Sequence, residues 1–243
     1  MPGCPTNSRV FIKSRKIYAS FLALYALIEN RRHAKEPLFV AFVDVRKAFP
    51  TVKRDILFQK LAALGADDSL IRAVWDLYDG AKGTVRGVDG YGEFFDVLVG
   101  TREGGIESSL LYVLFVADLL ADLAHVRFTR EMPQLGRAPV RALQLADDLA
   151  LIAHSAEDLQ ALLDQWGRYC DSNHQETQTR KTEVTIFLPP HMSDLSTRDL
   201  KKEFEFRYKV EALEISAHFV YLGVWFDAVQ DASASYSYRE GIA

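Results

Sequence analysis

The sequence predicts an α+β fold built on an antiparallel sheet. Three observations carry that expectation. Segments with helical spacing of apolar residues intermingle with short Val- and Phe-rich runs without strict alternation, which argues against a doubly wound parallel sheet. In PLFVAFVDV, the run Pro37 to Val43 is short and apolar, rich in Val and Phe, as a buried strand should be, and it leads into Asp44. The run LQLADDLALIA, Leu143 to Ala153, sets two adjacent aspartates between two apolar stretches, the pattern of a core hairpin with a charged tip.

The elements follow in order. Residues 16–33 read as a helix, with Ile17, Phe21, Leu24, Tyr25 and Ile28 at helical spacing, and Pro37 stops it before the first strand. VKRDILFQKLAALG reads as a second helix with Gly65 as its C-terminal stop, and DDSLIRAVWDLYDG as a third closed by Gly80. GTVRGVDGYGEFFDVLVG holds two strand-like runs around Asp89-Gly90, a hairpin signal. SSLLYVLFVADLLADLAHV is apolar nearly all round and predicts one buried helix. The aspartate hairpin, 140–153, comes next. SAEDLQALLDQWGRYCDSN is the clearest helix, capped by Ser155, with Asp158 near the positive end of its dipole and a core stripe of Leu159, Leu162, Leu163, Trp166, Tyr169 and Cys170. EVTIFLPP predicts a strand ended by prolines, and residues 203–229 predict short antiparallel strands, YLGVWFD the firmest.

Composition narrows the class. The 243 residues are 49% hydrophobic and 26% charged, a soluble globular balance. There is no run of 18 or more apolar residues, so no membrane span is expected. The N-terminus has no signal-peptide pattern, and Cys4 and Cys170 form no metal motif. An intracellular, non-secreted chain with free thiols is expected, in nucleus or cytoplasm. The net charge of −4 does not announce a polyanion binder, but residues 1–60 hold 12 Lys/Arg against 4 Asp/Glu. A polyanion-facing segment would carry such an excess, but on charge alone a solvated basic helix face is the simpler account.

Asp44 ends one buried strand, and Asp147 and Asp148 tip a buried hairpin. If strand and hairpin are neighbours, their carboxylates converge. Like charges that close raise each other's pKa unless cations neutralise them. Mg²⁺, a hard ion that takes carboxylate and phosphate oxygens, would do so, and two such ions about 3.5–4 Å apart form the clamp of in-line phosphoryl transfer. On spacing alone, an ordinary polar turn remains the simpler account of a doubled aspartate.

FVAFVDVRKAF, followed by a helix, resembles the first catalytic motif of reverse transcriptases, and LADDLALIA resembles the motif written Tyr/Phe-Ala-Asp-Asp. GTREGGIESSLLYVLFVADLL, RKTEVTIF and YLGVWFD resemble, in order, the family's Gly-x-x-Gln-Gly segment, its lysine-bearing motif and its Tyr-Leu-Gly element. Five ordered matches between about residues 20 and 227 are far more specific than any one of them. The group most resembled is the non-LTR (LINE-type) retrotransposon one.

The resemblance implies a polymerase palm: an antiparallel sheet backed by helices. It implies a basic helical remnant of the fingers over 1–36, the palm over 37–190, and a β-rich segment over 191–243 leading toward a primer-gripping hairpin, with truncated fingers and little or no thumb. Arg9, Lys13, Arg15 and Lys16 would stand in electrostatically for the missing fingers. It implies RNA-directed DNA polymerase activity with two Mg²⁺ (or Mn²⁺) ions, an RNA template, a DNA primer and deoxynucleoside triphosphates. Asp44, Asp147 and Asp148 would be the catalytic, metal-holding residues, with the Val45 carbonyl also on a metal. Arg46, Lys47, Phe49, Gly104, Gly105 and Lys181 would meet the nucleotide: Phe49 as a ring under the sugar, the glycines where the backbone approaches, and Lys181 at the pyrophosphate. Phe49 reads almost as well as core packing beside Ala48, and Lys181 as a solvated loop lysine.

The chain departs from the family at four places. Leu145 replaces the Tyr/Phe, Pro50 replaces the aspartate of Ala-Phe-Asp, Glu103 replaces the glutamine, and Ser108-Ser109 replaces Ser-Pro. Of these, Glu103 sets a carboxylate where a triphosphate is expected. The alternative is therefore a non-catalytic remnant or interaction module that keeps the fold. Another palm-like two-metal enzyme, such as a nucleotidyl cyclase, would lack the Tyr-Leu-Gly and middle segments.

Overall fold

The computed structural model describes residues 8–102 and 104–229, with side chains from Tyr18 onward except that of Ile106. Cys4 and Glu103 lie outside the described residues, as do the side chains of Arg9, Lys13, Arg15 and Lys16. The elements run α1 (Ser8–His33), β1 (Leu38–Val43), α2 (Arg54–Ala63), α3 (Asp68–Tyr78), the short ribbon strands β2 (Lys82–Gly83), β3 (Arg86–Gly87), β4 (Gly90–Tyr91) and β5 (Phe95–Asp96), then α4 (Ile106–Phe115) and α5 (Leu119–Leu123). They continue with β6 (Gln134–Leu135), β7 (Ala138–Pro139), β8 (Ala142–Leu145), β9 (Asp148–Ala153), α6 (Ala156–Asn173), β10 (Glu183–Phe187), α7 (Thr197–Glu203), β11 (Arg207–Tyr208), β12 (Glu211–Ala212), β13 (Glu214–Ser216), β14 (His218–Tyr221) and β15 (Val224–Asp227).

Contacts divide the chain into two units. The first holds the described residues through Val45, Leu119–Tyr169, and those from Thr177 on; the second holds Arg46–Asp118 and Cys170–Glu176.

The first unit is organised by a five-stranded sheet in the order β13-β10-β1-β9-β8. β1 is central because its sequence allows nothing else: all six residues, LFVAFV, are buried. It pairs antiparallel with β10 on one side and β9 on the other. On one face Leu38, Val40 and Phe42 pack with Leu24, Leu27 and Ile28 of α1, and with Ile152, Phe187, Tyr221 and Phe226. On the other, Phe39 meets Phe204 and Phe206 at centroid distances of 5.4 and 6.3 Å. Full burial of one such side chain contributes about 1.5–3 kcal/mol, against roughly 1 kcal/mol for a typical hydrogen bond. Packing on β1 is therefore the main term holding the sheet. The predicted stripe of α6 is buried as well, and the Trp166 indole N–H donates to the Thr177 hydroxyl at 2.8 Å.

In the second unit, α2 and α3 end on Gly65 and Gly80, both left-handed (φ 85° and 61°) as the glycine stops require. The predicted hairpin around Asp89-Gly90 is two nested ribbons, β3–β4 and β2–β5. Gly100 (φ +85°) allows a close approach to Pro50, since a Cβ there would stand 2.5 Å from the Pro50 carbonyl oxygen.

Three expectations are corrected, and one helix, α7, is added. α1 starts at Ser8 rather than residue 16. The apolar stretch after Ser108 is two helices, not one, and Leu110, Val113 and Leu120 are exposed. The break falls where Lys60 Nζ caps the Phe115 carbonyl (2.7 Å) and pairs with Asp118 (2.8 Å). The polar segment TRDLKKE forms α7, whose Ser196 caps it by accepting from the Asp199 N–H. β13 pairs with β10 in parallel, because the chain between them makes a long crossover that includes α7. Among the described residues, no helix is long and apolar enough to cross a membrane.

Candidate active site

The register of the central strands sets the site. Val43 pairs with Leu149, and one step further brings Asp44 level with Asp148. In the β8–β9 hairpin Leu145 pairs with Asp148, which leaves a two-residue turn, Ala146-Asp147. Tight hairpins favour left-handed backbone because it matches strand twist. Ala146 adopts it (φ 55°), and its carbonyl accepts a bond from the Gln144 amide at 3.3 Å. Left-handed backbone costs a non-glycine residue about 1–2 kcal/mol. That turn puts Asp147 at the tip and Asp148 on the first pair.

Asp44 is held from its backbone. Its N–H donates to the Thr182 hydroxyl (3.2 Å), and its carbonyl accepts from the Gln178 N–H (2.8 Å). Val45 bridges to Thr177. The same 177–182 segment carries Lys181 at the end of a short 3-10 turn. Asp44, Val45, Asp147, Asp148, Lys181 and Tyr221 line one pocket of about 180 Å³, with Phe42 and Phe219 among its apolar walls.

The pocket is acidic. Burial first, then the charges of Asp147 and Asp44, push the Asp148 carboxyl above the ordinary carboxylate range. Asp148 keeps contact with solvent at the pocket mouth. Lys181 is the one lysine or arginine of the lining, is exposed, and forms no ion pair among the described residues. The donor set is oxygen, and its repulsion is of the kind a hard divalent cation relieves, so the residues present fit such an ion. The three carboxylates share the pocket without closing on one point: among the described residues, no three acidic, His or Cys side chains form a ready ligand set.

The other residues singled out belong to the second unit. Arg46 is exposed and paired with Glu176 by its backbone N–H (2.7 Å) and its guanidinium (2.9 Å). Lys47 is exposed and left-handed (φ 48°). Phe49 is half-buried, with its ring 5.2 Å from that of Tyr112 and its carbonyl accepting from the Thr101 N–H at 2.9 Å. The core-packing account of Phe49 therefore has a real partner. Gly104 is left-handed (φ +80°), and Gly105 caps α4, where a Cβ would crowd Glu107 and the Ser108 hydroxyl at 2.7 and 2.8 Å.

Tyr221, the tyrosine of the Tyr-Leu-Gly element, carries no role that the sequence alone assigns. The side chain is 2% exposed and its hydroxyl has no hydrogen-bond partner among the described residues. Burial, and then the Asp148 charge, hold its phenol well above the ordinary tyrosine range. The available signal is a tyrosine within the apolar centre of the hairpin, between Phe219-Val220 and Leu222.

A family model described as reverse transcriptase (RNA-dependent DNA polymerase) matches residues 4–226. The chain is 24% identical over 229 residues to the retrovirus-related Pol polyprotein from type-1 retrotransposable element R2 of Nasonia vitripennis, covering 92% of this chain and 22% of that protein. It is 30% identical over 127 residues to the Pol polyprotein from type-2 retrotransposable element R2DM of Drosophila melanogaster, covering 52% of this chain and 12% of that protein. The chain thus spans about a fifth or less of the length of these relatives. Among solved structures it superposes on apo telomerase from Candida tropicalis, truncated from its C-terminal domain, with a TM-score of 0.59 and 12% identity over 87% of this chain and 38% of that one. Telomerase from Candida albicans, in complex with a TWJ fragment of telomeric RNA, gives 0.54 and 14% over 89% of this chain and 37% of that one. The likeness to both is one of fold, which agrees with the palm-type α+β expectation.

Proposed function

The chain belongs to the reverse transcriptase family, in its non-LTR retrotransposon group, and on that premise we propose that it is an RNA-directed DNA polymerase domain that adds deoxynucleotides to a primer 3′ end on an RNA template. The observation that carries the proposal is the shared pocket of Asp44, Asp147 and Asp148 at the ends of neighbouring strands. Asp44 and Asp147 would hold two divalent ions, with Asp148 beside them and the Val45 carbonyl as a further oxygen. Such ions, Mg²⁺ or Mn²⁺, supply the charge and Lewis acidity that in-line nucleotidyl transfer requires.

The chain's own residues do the rest. Lys181 is free to neutralise or protonate the pyrophosphate leaving group from within the pocket. Phe49 would set its ring under the sugar and disfavour a 2′-hydroxyl. Arg46, Lys47 and the Gly104-Gly105 turn would meet the triphosphate. Primer extension on an RNA template with Mg²⁺ tests the reading, using the chain, Asp147→Ala and Glu103→Gln. Extension that Asp147→Ala abolishes supports it. Extension only by Glu103→Gln assigns the defect to that one carboxylate. No extension by the chain or by Glu103→Gln counts against it.

A second reading, a non-catalytic module that keeps the fold, draws on one observation: the carboxylates do not close on a single point among the described residues. Calorimetry with Mn²⁺ separates the two readings. Binding that Asp147→Ala removes supports the polymerase, and no such binding supports the module.

A further inference from the structure

Tyr221 ends β14 with its ring in the core, tilted against Phe42 at a centroid distance of 5.5 Å. A phenylalanine would fill that place equally well. The hydroxyl adds nothing to the packing, since among the described residues it has no partner, and burying an unpaired donor is unfavourable. Yet Tyr221 lines the pocket that holds Asp148, and the phenol feels the Asp148 charge. The β14–β15 turn fixes it there: Tyr221 pairs with Val224 across Leu222 and Gly223, both left-handed (φ 52° and 80°), the geometry of a type I′ hairpin. A buried O–H lining a pocket of carboxylates, with no acceptor among the described residues, is poised for one that arrives or turns when the pocket fills.

We infer that Tyr221 is a positioning residue: its hydroxyl donates to the Asp148 carboxylate, directly or through one water, when the pocket takes up a divalent cation. The inference rests on the pocket being the metal site and names one residue outside the acids that tunes it. Removing a hydrogen bond behind a metal-holding group commonly lowers metal affinity by about tenfold or more. Tyr221→Phe keeps the ring and removes only the donor, so the fold should hold.

The test is calorimetric titration of the full chain and Tyr221→Phe with Mn²⁺, beside thermal melts without metal. Mn²⁺ affinity about tenfold weaker, with a melting point unchanged or higher, supports the inference. In primer extension the same variant should need more Mn²⁺ while keeping its rate at saturating metal. Unchanged Mn²⁺ affinity overturns the inference. So does weakened affinity with a lowered melting point, which would make the hydroxyl part of the packing. A wild-type chain with no Asp147-dependent Mn²⁺ binding overturns the metal-site reading itself, and this inference with it. That outcome is distinct from wild-type binding that Tyr221→Phe leaves intact.

Discussion

Asp44 and Asp148 stand level at the ends of neighbouring antiparallel strands, close enough that the charge of the first helps raise the carboxyl of the second. Their proximity costs stability while the pocket holds no cation, and that cost is measurable.

Asp148→Asn should therefore stabilise the metal-free fold near neutral pH. A carboxyl raised in the folded state binds its proton more readily there than in the unfolded chain, whose ordinary value is 3.8. The penalty is thus fully present above the folded pKa. It fades as pH falls through that value toward the unfolded one. Because solvent reaches Asp148, the gain should be about 0.5 kcal/mol or less. Added Mn²⁺ should reverse the order, raising the melting point of the parent chain more than that of the variant. Melting curves with and without metal check both signs. A variant less stable than its parent in metal-free neutral buffer would show that the repulsion is not felt.

Asp158 should behave in the opposite sense. Burial alone would raise its carboxyl, but bonds from the Thr129 N–H (2.6 Å), the Thr129 hydroxyl (3.0 Å) and the Arg130 N–H (3.2 Å), with help from Ser155, hold it below the ordinary range. A depressed folded pKa gives stability that is present above the unfolded value of 3.8 and is lost as pH falls through the folded one. At 1% exposure the group is sealed in, so Asp158→Ala leaves three donors short of an acceptor. The expected loss is about 2–3 kcal/mol near neutral pH, shrinking in strong acid. Urea unfolding at several pH values reads it directly. A difference independent of pH would assign the effect to shape rather than charge.

How much of this was legible follows from what each segment buries. β1 and β9 were readable because burial on both sides writes a continuous apolar run, and Asp147 and Asp148 mark where the hairpin turns into β9 from the half-buried edge strand β8. α6 was readable from a six-residue stripe. α7 was not, because TRDLKKE buries only Leu200, and β13 was not, because three residues are too few to show a period. The break after Phe115 has no glycine or proline to announce it; the lysine that caps it lies 55 positions away. The missing partner of the Tyr221 hydroxyl is a property of its neighbours, which its own letter does not encode.

The second unit depends on a cation that sequence patterning passed over. Arg54 donates to four carbonyls: Gly100 at 2.9 Å, Tyr78 at 3.2 Å, Val97 at 2.8 Å and Val99 at 3.3 Å. Its guanidinium also lies 4.8 Å from the centre of the Tyr78 ring. A planar fork makes these bonds together, and a lysine ammonium cannot. Arg54→Ala should cost about 3 kcal/mol or more, and Arg54→Lys most of that. Hydrogen exchange should rise over residues 97–101 before it rises elsewhere in the unit. Exchange that rises uniformly would mean Arg54 does not hold that segment locally.

The strained turn offers the last test. Ala146 is left-handed (φ 55°) at the tip that aims Asp147, and glycine adopts that backbone without the clash of a Cβ. Ala146→Gly removes about 1–2 kcal/mol of strain but adds about 0.5–1 kcal/mol of chain entropy lost on folding. The net expectation is a gain of up to about 1.5 kcal/mol, seen as a higher urea midpoint with an unchanged slope. The same change loosens the only residue between Leu145 and Asp147, so Mn²⁺ affinity should fall even as stability rises. Strain kept at a turn beside three carboxylates is consistent with strain that fixes their direction. If Ala146→Gly gained stability and bound Mn²⁺ as well as the parent, the left-handed alanine would serve the hairpin alone.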